Sequence, residues 1–253
     1  MVRLGQNFLA DTNLLEAIVR DAQVADDDVV LEVGGGEGAL TEALAPRVAL
    51  VHVIELDERL RDELERIAAE AGNVRLHFAD AMRIDFAGLD PAPGRMVANL
   101  PYSIATPLLI RTVAELPGLG SWTVMVQREI ADRLRAAPGS RTYGAPSVLL
   151  QLACSLRIVR TIDRAVFRPR PRIDSALLRL ERTGPAASPE VARIVRDAFA
   201  HRRKALARSL DLARPGLREP ARTALEAIGR PVDARAEQLA PEEFVALARE
   251  LDG

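Results

Sequence analysis

Val29-Val30-Leu31-Glu32-Val33-Gly34-Gly35-Gly36-Glu37-Gly38-Ala39-Leu40-Thr41 is an apolar run that breaks into glycines and then resumes with helical spacing. β-Branched Val29, Val30 and Val33 suit a strand buried on both faces, and the glycines permit positive φ and let a ligand approach bare backbone. The stretch reads as strand, turn and helix, with a nucleotide-like ligand at the turn. The next apolar run, Val48 to Ile54, ends in Glu55. That carboxylate lies roughly 20 residues after Gly34, where a doubly wound fold holds a ribose hydroxyl pair.

Glycine spacing alone leaves the ligand open. Gly34, Gly36 and Ala39 also satisfy the relaxed dinucleotide fingerprint, and a tight strand-to-helix turn without any ligand has the same spacing. Charge separates the options. A pyrophosphate wants an uncontested helix N-terminus, yet Glu32 precedes this turn and Glu37 lies inside it. Those carboxylates favour a cationic ligand. S-adenosylmethionine, with a sulfonium, an ammonium and no phosphate, is preferred to NAD.

The chain has 253 residues, 48% of them hydrophobic, enough for one large domain and a small one. No signal-peptide pattern opens it and no apolar run approaches the roughly 20 residues that span a bilayer, so a cytoplasmic protein without a membrane partner is expected. The single cysteine, Cys154, lies in an apolar run, and His52, His77 and His201 are scattered, which argues against disulfides and a bound metal. A net charge of −2 conceals an asymmetry: residues 1–120 carry 10 basic and 20 acidic side chains, residues 121–253 carry 24 and 16. The second half is suited to a polyanion. Its basic residues are arginines apart from Lys204, which reflects compositional bias in part but also supplies bidentate phosphate contacts and stacking on bases.

Further strands are expected over 74–79, ending at Asp80, over 95–98, running into Asn99-Leu100-Pro101-Tyr102, and over 122–126. Helices are expected over 11–22, 40–44, 57–71, 107–116 and 129–137. Ligands of open α/β sheets bind outside the carboxyl ends of the strands, and Gly34, Glu55, Asp80 and Asn99 occupy four such ends in series. Residues 147–154 form an apolar segment, followed by strands over 156–162 and 175–181. Between those strands, Phe167-Arg168-Pro169-Arg170-Pro171-Arg172 is too proline-rich for a helix and too arginine-rich for a core. Residues 183–189 read as a linker, dividing a domain over 1–182 from a small helical domain over 183–253 with helices near 189–211, 219–229 and 240–251. The first of those helices would carry Arg202, Arg203 and Lys204, with Arg208 on the same face.

The Asn99-Leu100-Pro101-Tyr102 turn suits methylation of an exocyclic amine. The Asn99 side-chain oxygen and the Leu100 carbonyl can accept from an amino group and hold its nitrogen toward a sulfonium, Pro101 stiffens the turn, and Tyr102 can stack on the base. An aromatic amine is a poor nucleophile, and two acceptors help by drawing its lone pair out of conjugation and stabilising positive charge in the transition state. A purely structural turn with Tyr102 packed inside remains the alternative.

Gly5-Gln6-Asn7-Phe8-Leu9, the glycine turn, Ile54-Glu55-Leu56-Asp57, Asp80-Ala81, Asn99 to Ile104, Gln127-Arg128-Glu129, Tyr143-Gly144, Phe167 to Ala176 and Arg202-Arg203-Lys204 together resemble the ribosomal RNA adenine dimethyltransferases, in order and over nearly the whole chain. The resemblance implies an α/β, Rossmann-like S-adenosylmethionine-dependent methyltransferase sheet with a small C-terminal helical domain. It also implies dimethylation of two adjacent adenosines near the 3′ end of small-subunit (16S) ribosomal RNA, within an assembling particle and by a monomer. Carried over by position, Gln6, Asn7, Leu9, Gly34, Gly36, Glu55, Leu56, Asp80, Ala81 and Asn99 would contact the cofactor. Asn99, Leu100, Pro101, Tyr102 and Phe167 would hold the target base, and Arg168, Arg170, Arg172, Arg202, Arg203 and Lys204 would meet RNA.

Three positions depart from the family's pattern. Gly35 stands where proline is common, which would leave the turn freer, and Ser103 and Ala105 replace a frequent Asn and Ser. The basic stretch that usually precedes Gly5 is reduced to Arg3, which weakens one expected RNA contact. Two rival readings remain: a large-subunit adenine methyltransferase of the macrolide-resistance type, which shares the catalytic half, and an RNA-binding assembly factor that keeps only the fold. The segment from Phe167 to Ala176 and the Arg202-Arg203-Lys204 cluster speak against the first, and intact Glu55, Asp80, Asn99 and Tyr102 against the second.

Overall fold

A computed structural model describes residues 8–9, 11–164, 167–168 and 173–252, and of residues 8, 9, 167 and 168 the backbone alone. Two compact units emerge: residues 1–131 with 155–182, and residues 132–154 with 183–253.

In the first unit the chain runs through β1 (Phe8–Leu9), α1 (Thr12–Ala22), β2 (Val29–Val33), α2 (Ala39–Leu44), β3 (Leu50–Glu55), α3 (Arg61–Ala71), β4 (Val74–Phe78), β5 (Arg95–Asn99), α4 (Ala105–Glu115), β6 (Ser121–Gln127) and α5 (Arg128–Leu134), which leads out of it. The later strands are β7 (Cys154–Ile162), β8 (Phe167–Arg168) and β9 (Ser175–Arg182). Seven strands form one sheet in the order β4-β3-β2-β5-β6-β9-β7, with β4, β3, β2, β5 and β6 parallel and β9 antiparallel to β6. This is the mixed α/β sheet that the alternating apolar runs and helical periods imply.

Both faces of the sheet are covered, which is why its central strands read as continuous apolar runs rather than alternating ones. Val30, Val51, Val53, Val97 and Met125 pack with Leu14, Leu15, Ile18 and Val19 of α1 and Leu40 and Leu44 of α2. Their neighbours Leu31, Met96 and Val124 are buried and point to the opposite face by strand alternation. On that face the Trp122 indole donates to Thr112 Oγ1 of α4 at 3.0 Å. Asp11 caps α1 through the backbone amides of Asn13 and Leu14. The helix expected over 57–71 begins with a single 3₁₀ turn, because Asp57 accepts from the Arg59 amide and sets the entry angle.

The β3 and β4 strands carry a histidine pair. His52 Nε2 lies 2.9 Å from the Pro91 carbonyl, which only accepts, so His52 donates there and its Nδ1 must accept from His77 Nε2 at 3.0 Å. Both rings are held below the usual histidine range, first by burial and with the charge of Arg75 adding to it; the Pro91 carbonyl partly offsets this at His52. Groups with depressed folded values contribute stability that is present above the unfolded value of about 6.5 and lost as pH falls through the folded values. The melting midpoint of the wild type is therefore expected to drop between pH 7.5 and 5.5 by more than that of His77→Gln, measured by circular dichroism. Equal drops would remove the pair from the acid response.

The second unit comprises α6 (Ala145–Gln151), α7 (Pro189–Ala200), α8 (Leu206–Ala213), α9 (Arg218–Ala227) and α10 (Pro241–Asp252), with the residues that link them. Tyr143 and Phe199 meet edge to face with centroids 5.9 Å apart, Phe199 and Phe244 lie 5.8 Å apart, and the Tyr143 hydroxyl donates to the Leu239 carbonyl at 3.0 Å. Residues 132–154 thus group with the chain after Thr183, although the sequence placed them in the first domain. Their buried Val148, Leu149 and Leu150 supply part of this helical core. The apolar segment at 147–154 is a helix beginning at Ala145, with Pro146 in its first turn where no amide is missed.

The helix expected over 189–211 is two helices. α7 buries Val191, Ile194, Val195 and Ala198, and its period would next bring Arg202 inward, so the chain turns at 201–204 and resumes with Leu206 and Ala207. Ser209 seals the break, accepting from the His201 amide at 3.2 Å and donating to the Asp197 carbonyl at 2.7 Å. Arg202, Arg203 and Lys204 accordingly occupy a turn, not a helical face.

Candidate functional site

The carboxyl ends of β2, β3, β4 and β5 open onto a cavity of about 610 Å³. Gly34 and Gly36 at the end of β2, Glu55 and Leu56 at the end of β3, Asp80 and Ala81 beyond β4, and Asn99, Leu100, Pro101 and Tyr102 at the end of β5 all line it. Every residue of the first unit that was expected at the cofactor or the target base and is described beyond its backbone meets in this space. Gln6, Asn7, Arg170 and Arg172 lie outside the described residues. Of Leu9, Phe167 and Arg168 the backbone is described, and it pairs Leu9 with Phe167 and Phe8 with Arg168 in an antiparallel ladder.

The glycine turn is shaped by its neighbours. Gly34, Gly36 and Gly38 have φ of 82°, 56° and 83°, the left-handed region that other residues avoid. A Cβ at Gly34 would come within 3.3 Å of Pro101 Cδ, so bare backbone lets the two turns close on each other. At Gly35 a Cβ would stand 2.6 Å from Val53 Cγ1. Val53 and Leu64 thus fill the room that a side chain at this position would need.

Glu55 is almost fully buried. Its Oε2 accepts from the Gly36 amide at 2.9 Å, and its Oε1 accepts from the amides of Leu56 and Asp57, both at 2.8 Å. Glu55 lines the cavity, and a carboxylate oxygen with one such bond can accept another. Leu56 beside it is 53% exposed, a large apolar surface at the cavity's rim.

Glu32 differs from its sequence reading. It is buried at 1% exposure, its carboxyl is pushed up to about 8 by that burial and further by Glu55, and the Thr41 hydroxyl donates to its Oε2 at 2.7 Å, which works the other way. Burial therefore favours the neutral form of Glu32, whereas Glu37 of the same turn is exposed. Nothing in the order of residues marks Thr41 as this partner; the helical turn after Gly38 brings it round.

The Asn99-Leu100-Pro101-Tyr102 turn is anchored on both sides. Asn99 pairs with Met125 across β5 and β6, the Leu100 amide donates to the Met125 carbonyl at 3.1 Å, and the Pro101 carbonyl accepts from Ile104 at 3.1 Å. Tyr102 is half-buried and its hydroxyl lies 2.8 Å from Oγ of fully buried Ser175, at the start of β9. The ring is therefore tethered at its tip beside the cavity, which replaces the picture of a tyrosine packed wholly inside. Ser175 had no role in the sequence beyond its place in the motif.

The family model for ribosomal RNA adenine dimethylase matches residues 2–252. This chain belongs to that family. A ribosomal RNA small subunit methyltransferase A from Rubrobacter xylanophilus is 46% identical over 98% of this chain and 94% of its own length. Among solved structures, a dimethyladenosine transferase from Plasmodium falciparum is similar in fold, with a TM-score of 0.79 at 24% identity over 95% of each chain. The 23S rRNA methyltransferase ErmE matches with a TM-score of 0.69 and 28% identity, over 98% of this chain and 100% of that one. The family and the Rossmann-like methyltransferase fold expected from the motifs are both found.

In the second unit Arg202 is spoken for: its Nε lies 2.7 Å from Glu237 Oε2 and its Nη2 donates to the Ser140 carbonyl at 3.2 Å. Arg203 and Lys204 are exposed. Among the described residues no cluster of side chains is suited to a metal ion, and no helix is long and apolar enough to cross a membrane.

Proposed function

We infer that the cavity binds S-adenosylmethionine and that the protein transfers methyl groups from it to the exocyclic amines of two adjacent adenosines near the 3′ end of small-subunit ribosomal RNA. The observation that carries this is the convergence of the Asn99 to Tyr102 turn, Glu55 and the glycine turn on one cavity. Its volume is in the range of small-molecule sites, and its polar groups fit the cofactor: remaining acceptor capacity on Glu55 for a ribose hydroxyl and bare backbone at Gly34. The substrate is taken to be RNA in an assembling particle, met in the cytoplasm by a monomer.

S-adenosylmethionine supplies, when bound, an electrophilic methyl group on a sulfonium. The chain's task is to place an amine nitrogen in line with it. Asn99, fixed at the end of β5, and the Leu100 carbonyl accept from the amine and stabilise the positive charge that grows on nitrogen. Tyr102, held by Ser175, presents its ring to the base, with Phe167 opposite it by family resemblance. The base has to leave its stack to reach this edge, and each aromatic contact offsets on the order of 1–3 kcal/mol of that cost. Ser103 is exposed and lines the same cavity, where a small side chain leaves room for a first methyl while the second is added.

The test is methyl transfer from labelled cofactor to immature small subunits, large subunits and naked RNA in parallel, with mass spectrometry of the nucleosides. Dimethyladenosine in the small-subunit RNA is the expected end product. Labelling confined to large-subunit RNA would favour an activity like that named for ErmE, and a reaction stalled at monomethyladenosine would refute this account of the cavity.

RNA is proposed to lie along the arginines of the second half. Because Arg202 is paired with Glu237, exposed Arg203 and Lys204 are the better phosphate contacts of that turn. Changing both to Glu is expected to lower the slope of log affinity against log salt by roughly 0.7–0.9 for each phosphate that is no longer neutralised. An unchanged slope would make the turn a solvated surface only.

A further inference from the structure

Helix α4 starts directly after the Asn99 to Tyr102 turn, and its Arg111 reaches back to the loop that follows β4. Arg111 Nη1 donates to the Ala81 carbonyl at 2.7 Å and Nη2 to the Ile84 carbonyl at 2.5 Å. Its Nε donates to Glu115 at 2.9 Å, and its guanidinium carbon stands 4.4 Å from the centre of the Phe86 ring. The side chain is 16% exposed. The loop has its own internal order, in which Asp80 Oδ1 accepts from the Met82 amide at 2.8 Å and the Asp80 carbonyl accepts from Arg83 and Ile84. Those bonds close the turn but leave the carbonyls of Ala81 and Ile84 to Arg111, whose planar fork matches two acceptors at once.

The position of this loop decides what it touches. Strand order places β5 on one side of the β2–β3 pair and β4 on the other. With a ribose on Glu55 at the end of β3, the reacting methyl has to face Asn99 at the end of β5. The adenine base then lies on the β4 side, against Asp80, Ala81 and Met82, which line that end of the cavity.

We propose that Arg111 is a positioning residue for cofactor recognition: by clamping the Ala81 and Ile84 carbonyls it fixes the wall that meets the adenine base and joins that wall to the helix issuing from the methyl-transfer turn. The proposal rests on the reading of the cavity as an S-adenosylmethionine site. Glu115 and Phe86 hold the guanidinium from the side, so the two carbonyl contacts can be tested apart from its place on the helix.

The experiment is calorimetry with S-adenosylhomocysteine and with S-inosylhomocysteine, whose base carries oxygen in place of the amine, alongside steady-state kinetics. Arg111→Met is expected to raise the Kd for S-adenosylhomocysteine about tenfold, the lower end of what losing hydrogen bonds from a charged group costs. It should also narrow the preference for adenine over hypoxanthine, and raise the cofactor KM while kcat at saturation stays within about twofold. Arg111→Lys, which keeps the charge and one contact, should fall between. Wild-type Kd and base preference in both Arg111 variants, or a loss of kcat with KM unchanged, would overturn the proposal. A wild-type protein that binds neither compound would overturn the cofactor reading itself and the base assignment with it.

Discussion

Asn99→Ala is expected to lower turnover by about 10²-fold or more, the scale of removing one preorganised acceptor from a developing charge, while affinity for RNA stays near that of the wild type. Several contacts that hold the turn do not involve the asparagine side chain. The Leu100 amide is held by the Met125 carbonyl, Pro101 is seated against Gly34, and Tyr102 is tied to Ser175. The substitution should therefore remove an acceptor without moving its neighbours. Single-turnover methylation at saturating cofactor reads the chemical step directly, and a wild-type rate there would make the acceptor role of Asn99 wrong. Tyr102→Ala makes a useful contrast, since its effect should fall on placement of the base and hence on the KM for RNA.

Glu55→Ala should weaken binding of S-adenosylhomocysteine by on the order of 1.5–3 kcal/mol, the range for a hydrogen bond to a charged group. Two effects contribute. The cofactor's hydroxyl has no acceptor, and the amides of Gly36, Leu56 and Asp57, which converge on this carboxylate, are deprived of theirs. The second effect loosens the glycine turn itself. Glu55→Gln keeps the shape and an acceptor oxygen, so it should retain more affinity than the alanine variant. Equal affinity of wild type and Glu55→Ala in a calorimeter would sink the ribose assignment.

The sheet edge was legible because four of the parallel strands are largely apolar runs, each followed or closed by a residue of different character: Gly34, Glu55, Asp80, Asn99. Burial on two faces leaves that signature in the sequence, and the rule that ligands lie beyond the carboxyl ends of such strands does the rest. Partnerships between distant residues left no such trace. The raised titration of Glu32 comes from burial and is opposed by the hydroxyl of Thr41, nine residues on in α2. Arg202 looked like one of a basic trio, yet Glu237, in the far part of the second unit, occupies it. The break at 201–204 was masked by charged residues that suit a helix as well as a turn, and Ser209, which seals it, carries no local signal. Arg111 was one arginine among many in an arginine-rich chain, and what sets it apart is the loop in front of it.

The two units are threaded through each other: the chain leaves the first after Ala131, returns at Ser155 and leaves again after Arg182. A ribosome making this protein delivers Tyr143 and the apolar side of α6 well before Phe199, Leu239 and Phe244, the partners that enclose them. During that interval the nascent chain carries an uncovered greasy helix, at first together with a sheet that still lacks β7 and β9. The same threading limits dissection: scissors applied at the proline-rich linker after Arg182 would strand α6 on the wrong fragment, so the separable pieces of this enzyme are not contiguous lengths of its gene.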